Sequence, residues 1–398
     1  MPWKTEDLVG ARRRFIAERL ALGAAVDMTA LCRRHGISRE CAYKWWRRFQ
    51  AGGRGALSSQ PRWTEAARQL QQVWLPRLWQ AWRRHRHFGP KKLRWQLRRD
   101  HPRSQLPGLR TLARWLERAG RVRRRPRRSG PGPKVRLPGR LQGRCCNDVW
   151  TIDFKGRFRT RDGRWVYALT VRDLASRYLL CVQHLARPNE QLIGRVMQRL
   201  FRRYGLPRAL RMDNGQPFGS IGPRGWSRLN ISWLKLGIRL EHGRPGCPQD
   251  NPEHEQMHQV LKAEAGTPPS VNVRAQQQRF DRWRWRYNHH RPHEHLGMAV
   301  PAARYRPSPR RWPRAVRPWI YPANWQPLAT DRKGRWRWRG RYRHLGRALV
   351  GEQLAARSLT ANLLAIYLGP HLLGHLHADD PGTFRIVRRN LPPKSGRG

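Results

Sequence analysis

The spacing of apolar residues changes twice along the chain and divides it into three parts. In the first 120 residues the apolar positions recur at intervals of three and four, which predicts amphipathic helices. From about residue 147, short runs of β-branched and aromatic residues alternate with helical patterns. From about Arg310, Arg and Trp alternate, and two apolar runs then flank the turn Gly369-Pro370. This last pattern predicts a small β-domain over residues 310–390, followed by a disordered tail at 391–398.

The first part predicts a helix-turn-helix domain within residues 1–55. The pattern predicts helices at Glu6 to Leu22, Met28 to Arg34 and Arg39 to Gln50. Gly36 in the turn suits a positive φ, and Ser38 is a suitable N-cap for the third helix. We expect the inward residues to be Leu8, Phe15, Ile16, Leu20, Leu31, Ile37, Ala42 and Trp45. The third helix would then present basic residues to DNA, namely Arg39, Lys44, Arg47 and Arg48. A helical hairpin with a solvated basic face is the alternative.

A second helical domain is predicted at residues 62–122, between two linkers. Its last two helices, Pro90 to Asp100 and Leu109 to Ala119, surround a Pro-Gly turn and so resemble a second helix-turn-helix. Gly and Ser between Gly52 and Pro61 predict the first linker. Residues 123–146 contain mainly Arg, Pro and Gly and predict an extended, DNA-tracking linker.

Residues 147–309 predict a mixed α/β domain. The order of elements is three strands, helix, strand, helix, strand, helix, which is typical of a ribonuclease-H-like sheet whose first three strands form an antiparallel meander. The predicted elements are strands at Trp150 to Phe154, Trp165 to Thr170, Tyr178 to His184, Ala209 to Met212 and Ile238 to Glu241, and helices at Asn189 to Tyr204, Ile231 to Leu236, Pro252 to Glu264 and Gln276 to Tyr287. The fold class is therefore multi-domain α/β.

The charge balance indicates a polyanionic partner. Lys and Arg total 83 against 25 for Asp and Glu, a formal net charge of +58. Such an excess favours nucleic acid, because phosphate contacts release counterions. A non-catalytic packaging protein is the alternative. The six cysteines have no C-x-x-C spacing, so neither structural zinc nor disulfides are expected. No apolar run is long enough to span a membrane, and we expect a soluble, cytoplasmic, nucleoid-associated protein.

Three carboxylates lie where an ordinary surface charge is not expected. Asp153 is at the centre of an apolar strand, Asp213 ends another, and Glu255 lies in the first turn of a helix whose predicted N-cap is Asn251. If they converge, two divalent cations would neutralise them and support phosphodiester chemistry. Each acid also has a structural interpretation: a buried ion pair, a turn former and a helix-start charge.

A competing motif occupies the same helix. His254-Glu255-Gln256-Met257-His258 matches the H-E-x-x-H pattern of zinc metalloproteases. The longer Gly-and-His extension of that pattern is missing, and the basic charge, Asp153 and Asp213 would have no role.

Six segments together carry a family resemblance. They are Trp150 to Gly156, Thr170 to Asp173, Tyr204 to Pro207, Met212 to Phe218, Arg244 to Asn251 and Tyr287 to His293. In this order they resemble bacterial insertion-sequence transposases with a retroviral-integrase-type catalytic core.

The resemblance implies a triad that matches Asp153, Asp213 and Glu255, two Mg²⁺ or Mn²⁺ ions per site, and action as a homo-multimer. The implied substrates are double-stranded DNA at terminal inverted repeats and target DNA, and the implied reactions are nicking and strand transfer. Around the triad we predict DNA contacts at Lys155, Asn214, His258 and Lys262.

Two residues depart from the family pattern. Family members usually have Gly where this chain has Pro252, and Arg where it has Gln256. Pro252 suits the first turn of a helix, whereas Gln256 removes a cation beside the predicted third acid. The alternative function is a decayed transposase that only binds specific DNA.

Overall fold

The computed structural model describes residues 7–23, 25–58, 65–122, 141–220, 222–243, 252–379 and 384–386. The chain forms two compact units, Met1–Pro76 and Arg77–Gly398, and each is described by itself. The predicted linker at 123–140, the segment around Asn251 and the predicted tail at 391–398 lie outside the described residues. Among the described residues, no helix is long and apolar enough to cross a membrane.

The N-terminal unit contains the predicted trihelical arrangement. Its helices are α1 (Leu8–Ala21), α2 (Met28–Arg34) and α3 (Arg39–Gly52). The Asp27 side chain caps α2 and the Ser38 side chain caps α3, which satisfies amide groups that a helix start leaves without partners. Gly36 has a φ of 62°, as its place in the turn requires. Phe15, Leu31 and Trp45 are buried together between the helices.

Two expectations for this unit are wrong. Leu8 and Leu20 are 37% and 52% exposed, because α1 turns a different stripe, including Phe15 and Ile16, toward the core. The predicted first linker is partly structured: Gly53–Leu57 form a turn of 3₁₀ helix, and Leu57 is fully buried. Arg12 donates a hydrogen bond to the Leu57 carbonyl over 3.0 Å. Leu57, which follows the glycines of the predicted linker, is therefore part of the core of this unit.

Three further helices precede the sheet. They are α4 (Glu65–Arg84), α5 (Pro90–Asp100) and α6 (Leu109–Arg118). α5 and α6 have the predicted positions, and their buried residues include Leu93, Leu97, Leu112 and Leu116. Pro90 begins α5 at a position where its missing amide hydrogen removes no helical bond.

A five-stranded mixed sheet forms the centre of the second unit. Its strands are β1 (Val149–Arg159), β2 (Trp165–Asp173), β3 (Leu179–Leu185), β4 (Ala209–Met212) and β5 (Arg239–His242). The spatial order is β3-β2-β1-β4-β5. β1, β2 and β3 pair antiparallel, whereas β1, β4 and β5 pair parallel. This is the predicted ribonuclease-H-like sheet.

Helices cover both faces of this sheet. They are α7 (Glu190–Tyr204), α8 (Arg228–Lys235), α9 (Pro252–Leu261), α10 (Val273–His290) and α11 (Pro301–Arg304). One core joins α7 and α8 to Trp150 and Ile152 of β1. A second core packs α9 and α10 against residues on the other face of the sheet, including Val166 of β2 and Val182 of β3. The strands are therefore buried on both faces, which explains their nearly continuous apolar runs.

The C-terminal part is β-rich, as predicted. Its strands are β6 (Gln326–Leu328), β7 (Arg335–Trp338), β8 (Arg341–His344), β9 (Leu354–Thr360), β10 (Leu363–Leu368), β11 (His371–His377) and β12 (Phe384–Ile386). β7 and β8 form a separate hairpin, and the other five form a sheet in the order β12-β11-β10-β9-β6. Ile231 and Leu234 of α8 share a core with this sheet. β6, β8, β9 and β12 were not predicted.

A comparison of Gly205 with Gly163 separates the cost of steric crowding from the cost of backbone strain. Both have positive φ, 77° and 81°. An added Cβ at Gly205 would lie 2.5 Å from the Ser308 carbonyl oxygen, whereas at Gly163 it meets nothing within 4 Å. We expect Gly163→Ala to cost about 1–2 kcal/mol of stability, and Gly205→Ala about 3 kcal/mol or more because overpacking adds to strain. Urea unfolding measures both, and equal losses would contradict the packing account.

Candidate active site

Strand pairing brings the first two predicted acids to neighbouring positions. β1 and β4 run parallel, with Thr151 opposite Arg211. Asp153 and Asp213 each follow these partners by two residues, so the register places them side by side, Asp213 directly after the end of β4 and Asp153 in the middle of β1, where the pairing with β4 ends. In α/β sheets the carboxyl ends of parallel strands are where ligands usually bind. Glu255 lies in the first turn of α9, which contacts β1.

The other two acids affect the protonation of Asp153. The pKa of Asp153 is raised to about 7, first by burial, then by the negative charge of Asp213 and last by that of Glu255, while a hydrogen bond from the Phe154 amide and the charge of Lys155 act in the opposite direction. Burial also raises the pKa of Asp213. The site therefore concentrates negative charge in a partly buried place, which a cation would stabilise.

Asp153 differs from the buried acid of the same sheet. Glu241 on β5 is paired with Arg211, with distances of 2.9 and 3.1 Å from two guanidinium nitrogens to one carboxylate oxygen. Across the described ranges, no Lys or Arg nitrogen lies within 4.0 Å of the Asp153 carboxylate, and the nearby basic group is the His258 ring, 3.8 Å from Nδ1 to Oδ2. The sheet thus neutralises one acid with its own arginine and leaves the other open to a bound cation.

Two histidines of the same helix fix α9 against the sheet. His254 lies 2.7 Å and His258 2.8 Å from the Thr170 hydroxyl through their Nε2 atoms. The Thr170 hydroxyl donates to the Asp153 carbonyl over 3.0 Å. The other nitrogen of His254 lies 2.8 Å from the Thr151 hydroxyl. Both rings are buried. α9 is thereby fastened to β1 and β2, and Glu255 follows His254 directly in this anchored helix, with its side chain exposed.

The hydrogen-bond directions in this network follow from its donors. Since the Thr170 hydroxyl has one hydrogen and donates it to Asp153, both Nε2 atoms must donate to Thr170. Nδ1 of His254 then accepts from Thr151. Burial is the first cause that lowers the pKa of both rings, that of His258 to about 3. The rings are therefore neutral, and the contact of His258 with Asp153 is not an ion pair.

The zinc-protease interpretation fits this network poorly. Asp153, His254 and His258 offer ligand atoms within 4.8 Å of one another, closer than the three carboxylates come together. Both nitrogens of His254, however, are used by threonine hydroxyls, and so is Nε2 of His258. A zinc ion on these rings would have to break bonds that hold α9 in place. The rings are better described as positioning groups.

The predicted DNA contacts near the acids have different surroundings. Lys155 and Lys262 line one cleft beside β1 and the end of α9, and Lys262 is exposed. The Asn214 amide donates to the Gly243 carbonyl, which ties the loop after β4 to the end of β5. His258 is 7% exposed and bonded to Thr170, so this placement does not support the predicted DNA contact. The spacing of His254 and His258 in the sequence does not indicate that these rings bond to the hydroxyls of Thr170 and Thr151.

In the N-terminal unit, the predicted recognition residues lie on α3. Arg39, Lys44 and Arg47 are exposed. Arg48 is half-buried, with its guanidinium 4.8 Å from the centre of the Trp45 ring. The helix therefore presents three exposed cationic side chains, and the fourth, Arg48, contacts the ring of Trp45.

Comparison with known families identifies two domains. Residues 12–64 match the family described as helix-turn-helix domain. Residues 143–248 and 236–301 match two families, each described as integrase core domain. These regions of the chain are therefore similar to a helix-turn-helix domain and to an integrase core domain, and with the insertion-element relatives below they confirm the resemblance to bacterial insertion-sequence transposases.

Curated relatives include proteins of two insertion elements. The chain is 28% identical over 185 residues to the insertion element IS407 uncharacterized 31.7 kDa protein of Burkholderia multivorans, covering 46% of this chain and 62% of that protein. It is 28% identical over 220 residues to the insertion element IS476 uncharacterized 39.2 kDa protein of Xanthomonas euvesicatoria, covering 55% and 60%. The chain thus spans about three fifths of these relatives.

Solved structures with similar folds include retroviral integrases. The catalytic core domain of BIV integrase matches with a TM-score of 0.30 and 19% identity, over 40% of this chain and 93% of that one. The HTLV-2 integrase catalytic core domain in complex with magnesium matches with a TM-score of 0.30 and 11% identity, over 40% and 97%.

The raised pKa of Asp153 predicts a stabilising substitution. Its folded pKa, about 7, lies above the ordinary 3.8. Between these values the folded state holds a proton that the unfolded state lacks, so stability falls as pH rises through this window. We expect Asp153→Asn, in EDTA, to match wild type near pH 3.5 and to exceed it by about 2–4 kcal/mol at pH 8. Chemical denaturation across pH measures this. Exposed Asp281→Asn is the matched control, and a pH-independent difference would refute the raised pKa of Asp153.

The hydrogen bonds of the Thr170 hydroxyl predict that two substitutions of this residue differ in their cost to stability. Thr170→Val removes the group shared by His254, His258 and the Asp153 carbonyl, and each buried group left unpaired costs about 1–3 kcal/mol. Thr170→Ser keeps the hydroxyl and loses one methyl, about 1 kcal/mol. We therefore expect unfolding free energies to rank wild type, then Ser, then Val. Equal losses in the two variants would show that packing, and not the hydroxyl, holds α9.

Proposed function

We propose that this chain is a DNA transposase whose catalytic residues are Asp153, Asp213 and Glu255. The observation that carries the proposal is the parallel register of β1 and β4. It places Asp153 of β1 beside Asp213, which follows β4, and the contribution of the charges of Asp213 and Glu255 to the raised pKa of Asp153 supports a shared site. The integrase core and helix-turn-helix matches support DNA as the substrate.

The donor set fits a hard divalent cation. Three carboxylates with no arginine or lysine partner for Asp153 are the oxygen ligands that Mg²⁺ and Mn²⁺ prefer. When bound, two such ions would supply charge neutralisation at the scissile phosphate and promote deprotonation of the attacking group. Asp153, Asp213 and Glu255 would hold them.

The chain's own residues would arrange the DNA for two successive reactions. In the first, water attacks a phosphodiester bond at the element end and releases a 3′-hydroxyl. In the second, this hydroxyl attacks target DNA in line and displaces another 3′-oxygen. Lys155 and Lys262, which share a cleft beside α9, would bind backbone phosphates and orient the strand. Arg39, Lys44, Arg47 and Arg48 of α3 would bind the terminal inverted repeats.

The network of His254, Thr170 and His258 would act through position and not through chemistry. It would hold the start of α9, and with it Glu255, against the sheet, and its neutral rings add no positive charge to the site. Neutral rings also leave the carboxylates free to bind cations at physiological pH. We further propose that the protein acts as a homo-multimer on DNA at the bacterial nucleoid, as the family resemblance implies.

A cleavage and joining assay tests this proposal. The substrate is a labelled duplex carrying the end of the element, with Mg²⁺ or with EDTA. We expect wild type to nick and join only with the cation, and Asp153→Asn and Glu255→Gln to fall to background. Their affinity for the duplex in EDTA should stay within about twofold, since neither acid contacts phosphate directly.

Asp281→Asn, an exposed acid on α10, is the matched control and should keep full activity. DNA binding without cation-dependent nicking in wild type would instead favour a decayed transposase that only binds DNA. Loss of binding in Asp153→Asn, with the same severity as loss of cleavage, would make Asp153 a folding residue.

A further inference from the structure

The hairpin formed by β1 and β2 extends beyond the other strands of the central sheet. β3 pairs with β2 only as far as Tyr167, which lies opposite Leu185. β1 and β2 continue to pair past this point, and Arg159 lies opposite Trp165 in the last pair. Residues 157–166, here called the hairpin end, therefore have no neighbouring strand on either side.

The loop after α9 holds the hairpin end in place. The Arg161 amide donates a hydrogen bond to the Ser270 carbonyl over 3.0 Å. The Asp162 amide donates to the Val271 carbonyl over the same distance. These bonds order the backbone of the turn before any ligand binds, which reduces the entropy that is lost on binding.

The hairpin end presents an aromatic ring between two cations. The guanidinium carbons of Arg157 and Arg159 lie 4.7 and 4.5 Å from the centre of the Trp165 ring, within the range of a cation–π contact. Arg159 is opposite Trp165, and Arg157 precedes it by two residues on the same strand, so all three side chains share one face. Both arginines are exposed, and Trp165 is 37% exposed.

The core of the domain uses the other face of the hairpin. Phe158 and Val166 lie opposite each other, next to Arg159 and Trp165 in the ladder, and they pack against α9 and α10. Because successive residues of a strand point to opposite faces, the ring and its two cations are directed away from this core. Packing within the domain therefore does not account for Trp165.

The acid of the hairpin end does not neutralise these two arginines. Asp162 is the one carboxylate between Lys155 and Trp165 in the sequence. It accepts from the Thr160 hydroxyl and lies 3.8 Å from the Arg164 guanidinium. Among the described residues, Arg157 and Arg159 have neither a carboxylate within 4.0 Å nor a hydrogen-bond partner for their guanidinium groups. Their N–H groups are therefore available to a ligand.

The same strand connects the hairpin end to the candidate active site. Arg157 lines the cleft that contains Lys155 and Lys262. Arg159 lies about 20 Å along β1 from Asp153, at about 3.3 Å per residue. Cations thus follow β1 from the predicted catalytic residue to the hairpin end.

We propose that Arg157, Trp165 and Arg159 form a binding site for phosphates of the DNA backbone. A guanidinium that lies on an aromatic ring can still present its forked N–H groups to phosphate oxygens. The ring fixes the direction of two long side chains, so less rotamer freedom is lost when phosphate binds. The site would hold DNA that leaves the cleft, without reading its sequence. This inference rests on the proposed action on DNA.

The first test measures how affinity for a labelled random-sequence duplex depends on KCl concentration, using the full chain in EDTA. Each lost phosphate contact lowers the slope of log K against log salt by about 0.9. We expect Arg159→Gln to lower this slope by about one and to weaken binding several-fold. Arg164→Gln is the matched control, because it removes the same charge from the same hairpin, beside Asp162, and should change neither.

The second test removes the ring and keeps every charge. We expect Trp165→Leu to weaken duplex binding several-fold and to lower the salt slope, because the two guanidinium groups are no longer held together. Trp165→Phe keeps an aromatic ring and should retain most of both. Melting temperatures of the three proteins show whether the variants are folded, and Arg159→Gln tests the site independently of the ring.

Three results would overturn the proposal. The first is an equal slope for Arg159→Gln and Arg164→Gln. The second is unchanged duplex binding in folded Trp165→Leu. The third is a loss in Trp165→Leu that is confined to single-stranded DNA and leaves the salt slope unchanged, because the ring would then stack on bases and not order a phosphate site.

The proposed transposase is judged by a separate measurement, cation-dependent nicking by wild type. If wild type nicks DNA while the hairpin variants bind like wild type, the hairpin site fails and the transposase stands. If the variants lose affinity as expected and wild type does not nick, the hairpin site stands and the transposase fails.

Discussion

The burial of the Asp153 carboxylate, within reach of the negative charges of Asp213 and Glu255, is the constraint that the rest of the integrase core domain has to overcome. The sheet fixes Asp153 and Asp213 through the parallel pairing of β1 with β4, so neither can move away. α9 is fastened by hydrogen bonds from His254 and His258 to a single threonine hydroxyl. Strand register and helix docking together maintain an arrangement that these acids, without a cation, would destabilise.

The same domain handles buried charge in two different ways. Glu241 receives its own arginine, and the histidines beside Asp153 are kept neutral by burial. The first arrangement compensates a negative charge within the folded chain. The second adds no positive charge beside Asp153.

Sequence patterns predicted regular elements better than connections between distant residues. The bounds of α2, α5, β4, β10 and β11 follow directly from apolar spacing and turn residues. β6 and β9 were missed because Gln326-Pro327-Leu328 is too short to show alternation and Leu354 begins a run of small residues beside Arg357. The DNA contact predicted at His258 is not supported because Thr170 lies 88 positions away, and no local pattern reports that pairing.

The central claim is that Asp153, Asp213 and Glu255 form one cation site. The most direct measurement is the anomalous diffraction of Mn²⁺ in crystals of the protein, compared with crystals of Glu255→Gln. The account predicts Mn²⁺ bound by carboxylate oxygens of the three acids, with occupancy reduced in the variant and with His254 and His258 still bonded to Thr170. Mn²⁺ bound by the two histidines, or no Mn²⁺ near Asp153, would contradict it.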